Sequence, residues 1–571
     1  MNFSGLKKNL KKDTTGLPVL RVAILCDFAS QFLVQALGGY GIGTNIKYEI
    51  FEADYDQIDR QILDPSSELY AFRPSFAIVI SSSERLLKKF YKTPQDERSS
   101  FARRQVEHTE HLYTVLTERM SCKVLFNTYP EINDGVFGSF STKVDASFTY
   151  QIKSLNLSLM DLARRQKGLF LVDFDNILRR MGLKNTFDAK MFISADMVFN
   201  LDVLPHLAKG IHDVIQAVNG QFRKCLILDL DNTVWGGIIG DDGMEGIQVG
   251  ELGIGKAFTG LQSWVKELKN RGIIIAVCSK NTEAIAKEPF LKHPEMTLRL
   301  DDIAVFVANW ENKVDNIRHI QGILNISFDS MVFLDDNPFE REMVKQAIPD
   351  ITVPPLPEDP AEYLSFLRES DLFETASYTE EDRERTGQYQ AETQRAVLQQ
   401  SFANEDEFLE SLNMQSEVKA FDTFTFPRIS QLSQRSNQFN LRTVRYTQEE
   451  IEKISASPNH FTLSFTLQDV FGENGLISAI ILEKRGHGLF IDTWIMSCRV
   501  LKRGMENFVL NTIIDLARNN GFTQVIGEYL PTPKNGMVKD HYQRLGFSPI
   551  DNLFVLNTTG YTNKKTFIKT K

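Results

Sequence analysis

The stretch LILDLDNTVWGG, from Leu226, sets two aspartates one residue apart at the end of an apolar run. Side chains at i and i+2 of an extended chain point the same way, so Asp229 and Asp231 can face one site. Two carboxylates in one buried place repel each other and resist losing water, so they need a cation or a shared proton. Hard carboxylate oxygens suit Mg²⁺. Thr233 adds a hydroxyl. Taken alone, DxDxT also fits a strand followed by an acid-capped helix. Three further stretches decide between the two. GIIIAVCSKN ends an apolar run in Ser279, a hydroxyl able to hold a phosphoryl oxygen. NWENKVDNI supplies the fixed charge of Lys313, and MVFLDDNP ends in Asp335 and Asp336, further carboxylates for a metal. Phosphoryl transfer asks for this kit: a nucleophile, a proton carrier, and groups that neutralise the phosphoryl oxygens.

All of these groups sit where apolar runs stop, so parallel strands must position them. Ligands of open α/β sheets bind outside the carboxyl ends of the strands. CLILDL, GIIIAVCS, IAVFVA and SMVFLDD predict four such strands, with helices such as LQSWVKELKN between them. The N-terminal third alternates in the same way: LRVAILCDF, PSFAIVIS, CKVLFNTY and KGLFLVDF are buried-strand runs, and FARRQVEHTEHLYTVLTERM has helical spacing. This predicts a doubly wound α/β domain over residues 1–220, ending near LPHLAKGIHDVIQAV, and a second α/β domain over 221–355. After VPPLPEDP, the charged ETASYTEEDRERTGQYQAETQRAVLQQS predicts a solvated helical linker over 356–400. Residues 401–571 mix strands (HFTLSFTLQDVFG, GLFIDTWIMSC) with the helix MENFVLNTIIDLARNN, an α+β unit. His206, His212 and the His108/His111 pair are expected on solvated helix faces.

Neither interval, Thr233 to Ser279 or Ser279 to Lys313, has room for a separate cap domain. WGGIIGDDGMEGIQVGELGIG can form only a flap, expected as a hairpin. A capless site is open to solvent and suits a large substrate or one delivered on a carrier protein. The totals agree with a multidomain globular protein: 571 residues, 42% hydrophobic, 24% charged. A net charge of −10 argues against a nucleic-acid or anionic-membrane binder. The cysteines, Cys26, Cys122, Cys225, Cys278 and Cys498, have neither metal-ligand nor disulfide-framework spacing. No run approaches the ~20 apolar residues that cross a bilayer, and MNFSGLKKNLKKDTTGLP lacks the apolar stretch of a secretory signal, so a cytoplasmic location is expected.

The four phosphate-handling features, in this order, resemble the haloacid dehalogenase (HAD) superfamily. The resemblance implies a Rossmann-like fold in which Asp229 is the nucleophile and Asp231 the general acid/base. It implies that Thr233, Ser279 and Lys313 hold phosphoryl oxygens, while Asp229, the Asp231 backbone carbonyl and Asp335 or Asp336 hold Mg²⁺. LDLDNTVWGG, CSKN, NWENKVDNI, FLDDNPFERE, YTEEDRERT, SQRSNQFNL and SCRVLKRGMEN together look like the FkbH-like proteins, HAD subfamily IIIC. That family resemblance implies loading of a glyceryl unit from 1,3-bisphosphoglycerate, a phosphorylated three-carbon acid, onto an acyl carrier protein with removal of phosphate. Cys278 is then the candidate catalytic thiol, or simply a small apolar side chain filling its strand. The C-terminal unit resembles a GNAT acyltransferase, in which RVLKRG would be the pyrophosphate loop. That implies CoA or phosphopantetheine held by Arg499, Lys502, Arg503 and Gly504, with Tyr542 as a general acid or the unit as a docking module only. The N-terminal domain resembles the SGNH hydrolases, whose serine and histidine fall on Phe28 and Phe199, implying a catalytically dead scaffold. Two other activities remain open at this point: a phosphatase for a free metabolite or phosphosugar, and acylation by the GNAT-like unit.

Overall fold

The computed structural model describes every residue except Met1, Gln400 and Pro533, so the last position of the expected linker lies outside the described residues. The chain forms two compact units, Met1–Val218 and Asn219–Lys571. The first boundary falls close to the expected one. The three regions expected beyond it belong to a single unit.

In the first unit, β1 (Val19–Cys26), β2 (Lys47–Glu52), β3 (Phe76–Ile80), β4 (Lys123–Asn127) and β5 (Leu169–Val172) form a parallel sheet in the order β2-β1-β3-β4-β5. This is the doubly wound arrangement. Strand β2 escapes sequence reading because KYEIFE is half charged and lies at the sheet edge. The helix Leu204–Val218 packs on the helix Gln31–Gly43 and turns His212 inward, correcting its expected solvation. Its ring is buried and bonds the Tyr48 hydroxyl at 2.8 Å. His206 and His111 are exposed, and half-buried His108 meets Asp59 at 3.0 Å.

The second unit starts with β6 (Cys225–Leu228), β7 (Ile274–Ser279), β8 (Val305–Ala308) and β9 (Met331–Leu334), parallel and ordered β8-β7-β6-β9. The chain steps outward from β6 to β8, then returns to β6's other side. The crevice between β6 and β9 is therefore the switch point where open sheets bind ligands. Alternate residues supply two cores. Leu226, Leu228, Ile275 and Val277 pack with Phe258 and Leu261 of the helix Gly255–Asn270. Cys225, Ile227, Ala276 and Cys278 pack with Ile317 and Ile320 of the helix Lys313–Leu324.

Residues 356–399 are not a solvated linker. Tyr363, Leu367 and Tyr389 are buried, and the helix Arg385–Gln399 packs on the helix Lys313–Leu324. Its charges pair internally: Arg395 grips Asp469 through two 2.8 Å hydrogen bonds, and buried Asp382 pairs with Arg385 and Arg435. Among the described residues the C-terminal part forms a nine-stranded mixed sheet with the helix Met505–Asn519 against it. Its long strands His460–Asp469, Gly472–Arg485 and Gly488–Met496 run antiparallel, while Gly488–Phe490 pairs in parallel with Gln524–Ile526. Beyond that short parallel stretch, Phe439–Leu441 wedges in. The Met496 amide donates to the Phe439 carbonyl at 3.2 Å, and the Leu530 amide to the Leu441 carbonyl at 2.9 Å.

Candidate active site

At the β6/β9 switch point the Asp229 amide donates to the Leu334 carbonyl at 2.9 Å, which sets Asp229 beside Asp335. Lys313, the first residue of its helix, stands between them, 3.0 Å from Asp229 Oδ1 and 2.6 Å from Asp335 Oδ2. All three are buried. Burial raises the Asp229 carboxyl above its ordinary range against the pull of Lys313. Burial and the Asp229 charge push Asp335 up to about 6, and burial raises Asp336 too. On Lys313, burial works against the charge, but Asp229 and Asp335 outweigh it and hold the ammonium above its usual value.

One lysine does not neutralise this group. One oxygen from each of Asp229, Asp335 and Asp336 lies within 4.8 Å of the others. This all-oxygen, net-negative donor set fits Mg²⁺. The Asp231 carboxylate stands apart from it, so a metal ligand at Asp231 could come only from its backbone. Its side chain is instead fixed by three N–H donors. Trp235 Nε1 (2.9 Å) and the Ile239 amide (3.0 Å) reach Oδ1, and Asn281 Nδ2 (2.8 Å) reaches Oδ2. Burial nonetheless raises its affinity for a proton, which suits a group that must give and take one. Thr233 is buried, its hydroxyl accepting from the Asp336 amide at 3.1 Å. Ser279 closes β7, buried at the same sheet end.

Sequence reading missed Trp235 and Asn281 as the holders of Asp231. The signal was present in WGG and CSKN, whose side chains had no evident target before the fold was known. The expected hairpin flap is instead a loop closed by one antiparallel bridge, Gly236 to Gln248, with the short helix Ile239–Gly246 inside it. Asn232 turns the chain into that loop in a left-handed conformation (φ 53°) and accepts from the Gly237 amide at 2.9 Å. Cys278 must be corrected. It faces the core opposite Ser279's side, 0% exposed, with its sulfur 3.8 Å from the Lys313 carbonyl and its thiol pKa pushed up by burial. A thiolate nucleophile needs the reverse environment.

The expected C-terminal grip also comes apart. Arg503 is buried in ion pairs with Glu392 and Asp469, and Arg499 is buried as well. Only Lys502 is exposed, in the left-handed backbone (φ 65°) that a glycine would take there; Gly504 (φ 72°) caps the next helix. Tyr542 is buried against Gly527, where a Cβ would come within 2.3 Å of its ring, and its hydroxyl has no partner among the described residues. A general acid there could not reach solvent. In the first unit, Phe28 and Phe199 meet edge to face at 5.3 Å, an apolar contact with no proton relay. Nearby Asp27 accepts from the Ser82 amide, and burial pushes its carboxyl up to about 6.

A buried strand-end aspartate beside a fixed lysine, in a carboxylate trio able to hold a divalent cation, is the arrangement of a HAD-type phosphatase domain. A family model of the FkbH N-terminal domain matches residues 21–216. The crystal structure of the N-terminal part of protein BF1531 from Bacteroides fragilis, containing a phosphatase domain complexed with Mg, is 51% identical. That likeness covers 66% of this chain and 100% of that one, with a TM-score of 0.64. The chain belongs to the FkbH family. The C-terminal part is more distantly similar to the Escherichia coli ribosomal-protein-S18-alanine N-acetyltransferase (13% identity, 26% of this chain, 99% of that one, TM-score 0.21). Spermidine N-acetyltransferase from Vibrio cholerae in complex with CoA and spermine is as distant (12%, 25%, 96%, 0.21). No curated protein matches the chain. Among the described residues no helix is long and apolar enough to cross a membrane.

Proposed function

We propose that this protein is a Mg²⁺-dependent acyltransferase-phosphatase. It loads a glyceryl-type unit from a phosphorylated three-carbon donor such as 1,3-bisphosphoglycerate onto an acyl carrier protein and removes the phosphate. The observation that carries the macromolecular partner is the rim of the site. No cap covers Asp229, and the loops leaving the carboxyl ends of the sheet expose Ile238, Leu252, Trp310 (74%) and Phe339 (67%). Exposed apolar side chains on segments that follow several of the strand ends suit a protein surface better than a free metabolite.

The chain's own groups then act in order. The carrier thiol attacks the acyl phosphate carbon and expels orthophosphate, leaving a thioester that still bears a phosphate ester. Buried Cys278 has no part in this, so the unit passes directly to the carrier. An Asp229 oxygen attacks the remaining phosphorus as the bond to the leaving oxygen breaks, and Asp231 protonates that oxygen. Asp231 next takes a proton from water, whose oxygen displaces phosphate from Asp229. Lys313, Thr233 and Ser279 hold the phosphoryl oxygens throughout. Held by Asp229, Asp335 and Asp336, Mg²⁺ would supply neutralisation of the charge on those oxygens.

The test incubates the full chain with 1,3-bisphosphoglycerate, Mg²⁺ and a phosphopantetheinylated carrier, and reads intact masses. A glyceryl mass on the carrier with phosphate release is expected. Phosphate release with no acylated protein would replace this reading by that of a phosphatase for free metabolites.

A further inference from the structure

A second concentration of positive charge lies at the opposite edge of the phosphatase sheet. Lys224 precedes β6, Ile274 opens β7 and Ser327 precedes β9, so these residues mark the amino ends of the strands, away from Asp229. They line a cavity of about 80 Å³ together with Arg385, Arg428, Arg435 and Arg499. Water occupies roughly 30 Å³ per molecule in the liquid, so the space accommodates a small polyatomic ligand.

The cations outnumber the carboxylates that reach them. Asp382 serves both Arg385 and Arg435, Glu381 lies 2.8 Å from Arg428, and Asp329 attracts Lys224, whose Nζ also donates to the Arg435 carbonyl at 2.9 Å. Arg499 has no carboxylate partner among the described residues. Its Nε donates to the Ser497 hydroxyl at 3.1 Å, and its Nη1 is buried with no acceptor, in a residue only 7% exposed. Arg435 Nε is likewise buried without an acceptor. Burial, then the neighbouring arginines, pulls Arg435 down to about 9. Burial pulls Arg428 down to about 10, with Arg499 adding to the effect against Glu381. Leaving guanidinium N–H groups buried and unmet is costly, and a tetrahedral oxyanion offers the acceptors they lack.

We propose that this cavity is an anion site, separate from the catalytic one, that takes a phosphoryl-type dianion between Arg499, Arg435 and Lys224. Its walls come from the phosphatase sheet and from the C-terminal sheet, so an occupant ties the two together. The ligand is inorganic phosphate or the phosphate end of an ester. The site does not depend on the loading reaction and can stand or fall without it.

Thermal unfolding of the full chain, in EDTA to keep phosphate from a metal-loaded catalytic site, is followed against inorganic phosphate and, separately, pantetheine 4′-phosphate. The midpoint rises by a few degrees in the wild type, and Arg499→Gln and Lys224→Met each lose most of that rise. A larger rise with the ester at equal concentration identifies an ester ligand; equal rises identify free phosphate. No rise with either anion, or an undiminished rise in both variants, overturns the proposal. Should Arg499→Gln fail to fold, selenate-soaked wild-type crystals decide. An anomalous peak among Arg435, Arg499 and Lys224 upholds the site, and its absence overturns it.

Discussion

Lys313 is the most constrained charge at the catalytic end, because two buried carboxylates depend on it. Lys313→Met strands both, and breaking a buried pair from one side costs about 3–5 kcal/mol. Chemical denaturation should show a loss of that order without metal, partly restored by Mg²⁺ as it neutralises the same carboxylates. Asp229→Asn keeps the side chain's shape and leaves Lys313 paired with Asp335 at 2.6 Å. The variant should fold normally and leave the phosphate ester on the loaded carrier, read as a phosphoglyceryl mass, so continued loss of that ester would remove Asp229 from the nucleophile's role. Asp231→Asn removes the carboxylate to which the proposed mechanism gives the proton, and keeps its partner Asn281 only if that amide turns its oxygen inward; removal of the phosphate ester should fall by about 10²–10⁴-fold, the usual range for general acid–base catalysis. The residues that the fold gathers at this sheet end were legible in the sequence because their types and order follow the strand ends. The residues that hold them were not. Trp235 and Asn281 act through hydrogen bonds that exist only after the flap and β7 have folded against Asp231. Of the two readings open for Cys278, the structure takes the apolar one, because neighbouring strand residues face opposite sides and Ser279 takes the site's.

Among elements, the strands of both parallel sheets were readable as apolar runs, and the charged segment after VPPLPEDP was not. Composition counts charges but cannot see that Arg395 finds Asp469 far along the chain, or that Asp382 lies between Arg385 and Arg435. A helix that looks solvated is thereby buried. Asp469 is fully buried and accepts from both Arg395 and Arg503. Asp469→Ala leaves two buried guanidinium groups short of an acceptor, and should cost about 3–5 kcal/mol in urea unfolding. An Arg164→Ala control, which removes only the exposed pair with Asp161, should barely move the midpoint. Equal, small effects would mean that the helix Arg385–Gln399 is held by its apolar face alone. The insertion of Phe439–Leu441 into the C-terminal sheet was equally hidden. SQRSNQFNL carries no strand alternation, and its pairing is decided by partners at Ile495 and Leu530.

Across the whole molecule, the two units bury titratable groups whose linkage to stability has opposite signs. In the second unit, His541 sits among the rings of Phe439, Trp494 and Tyr542, 4.9, 4.6 and 5.8 Å away, with Nε2 unpartnered. Burial, then Arg544, pulls it down to about 3. The folded state thus binds fewer protons than the unfolded chain. Its stability is full above the ordinary histidine value near 6.5 and drains away as pH falls toward 3. In the first unit, burial pushes Asp27 up to about 6, and burial followed by the Asp27 charge pushes Glu84 up to about 7. Those carboxyls favour the folded state once protonated, so that contribution is present at low pH and is lost as pH rises through 6 and 7. In the second unit Asp229, Asp335 and Asp336 carry this second sign too, which is why the measurement belongs in saturating Mg²⁺; Asp231 and Glu506 also carry it, so the His541 contribution is read as the difference between wild type and His541→Phe. Scanning calorimetry from pH 7.5 to 5 should show two transitions moving apart, the first unit's upward and the second's downward. His541→Phe should flatten the pH slope of the second unit's transition alone, and Asp27→Asn that of the first. If both variants kept the wild-type slopes, these buried groups would not be the source of either unit's response to acid.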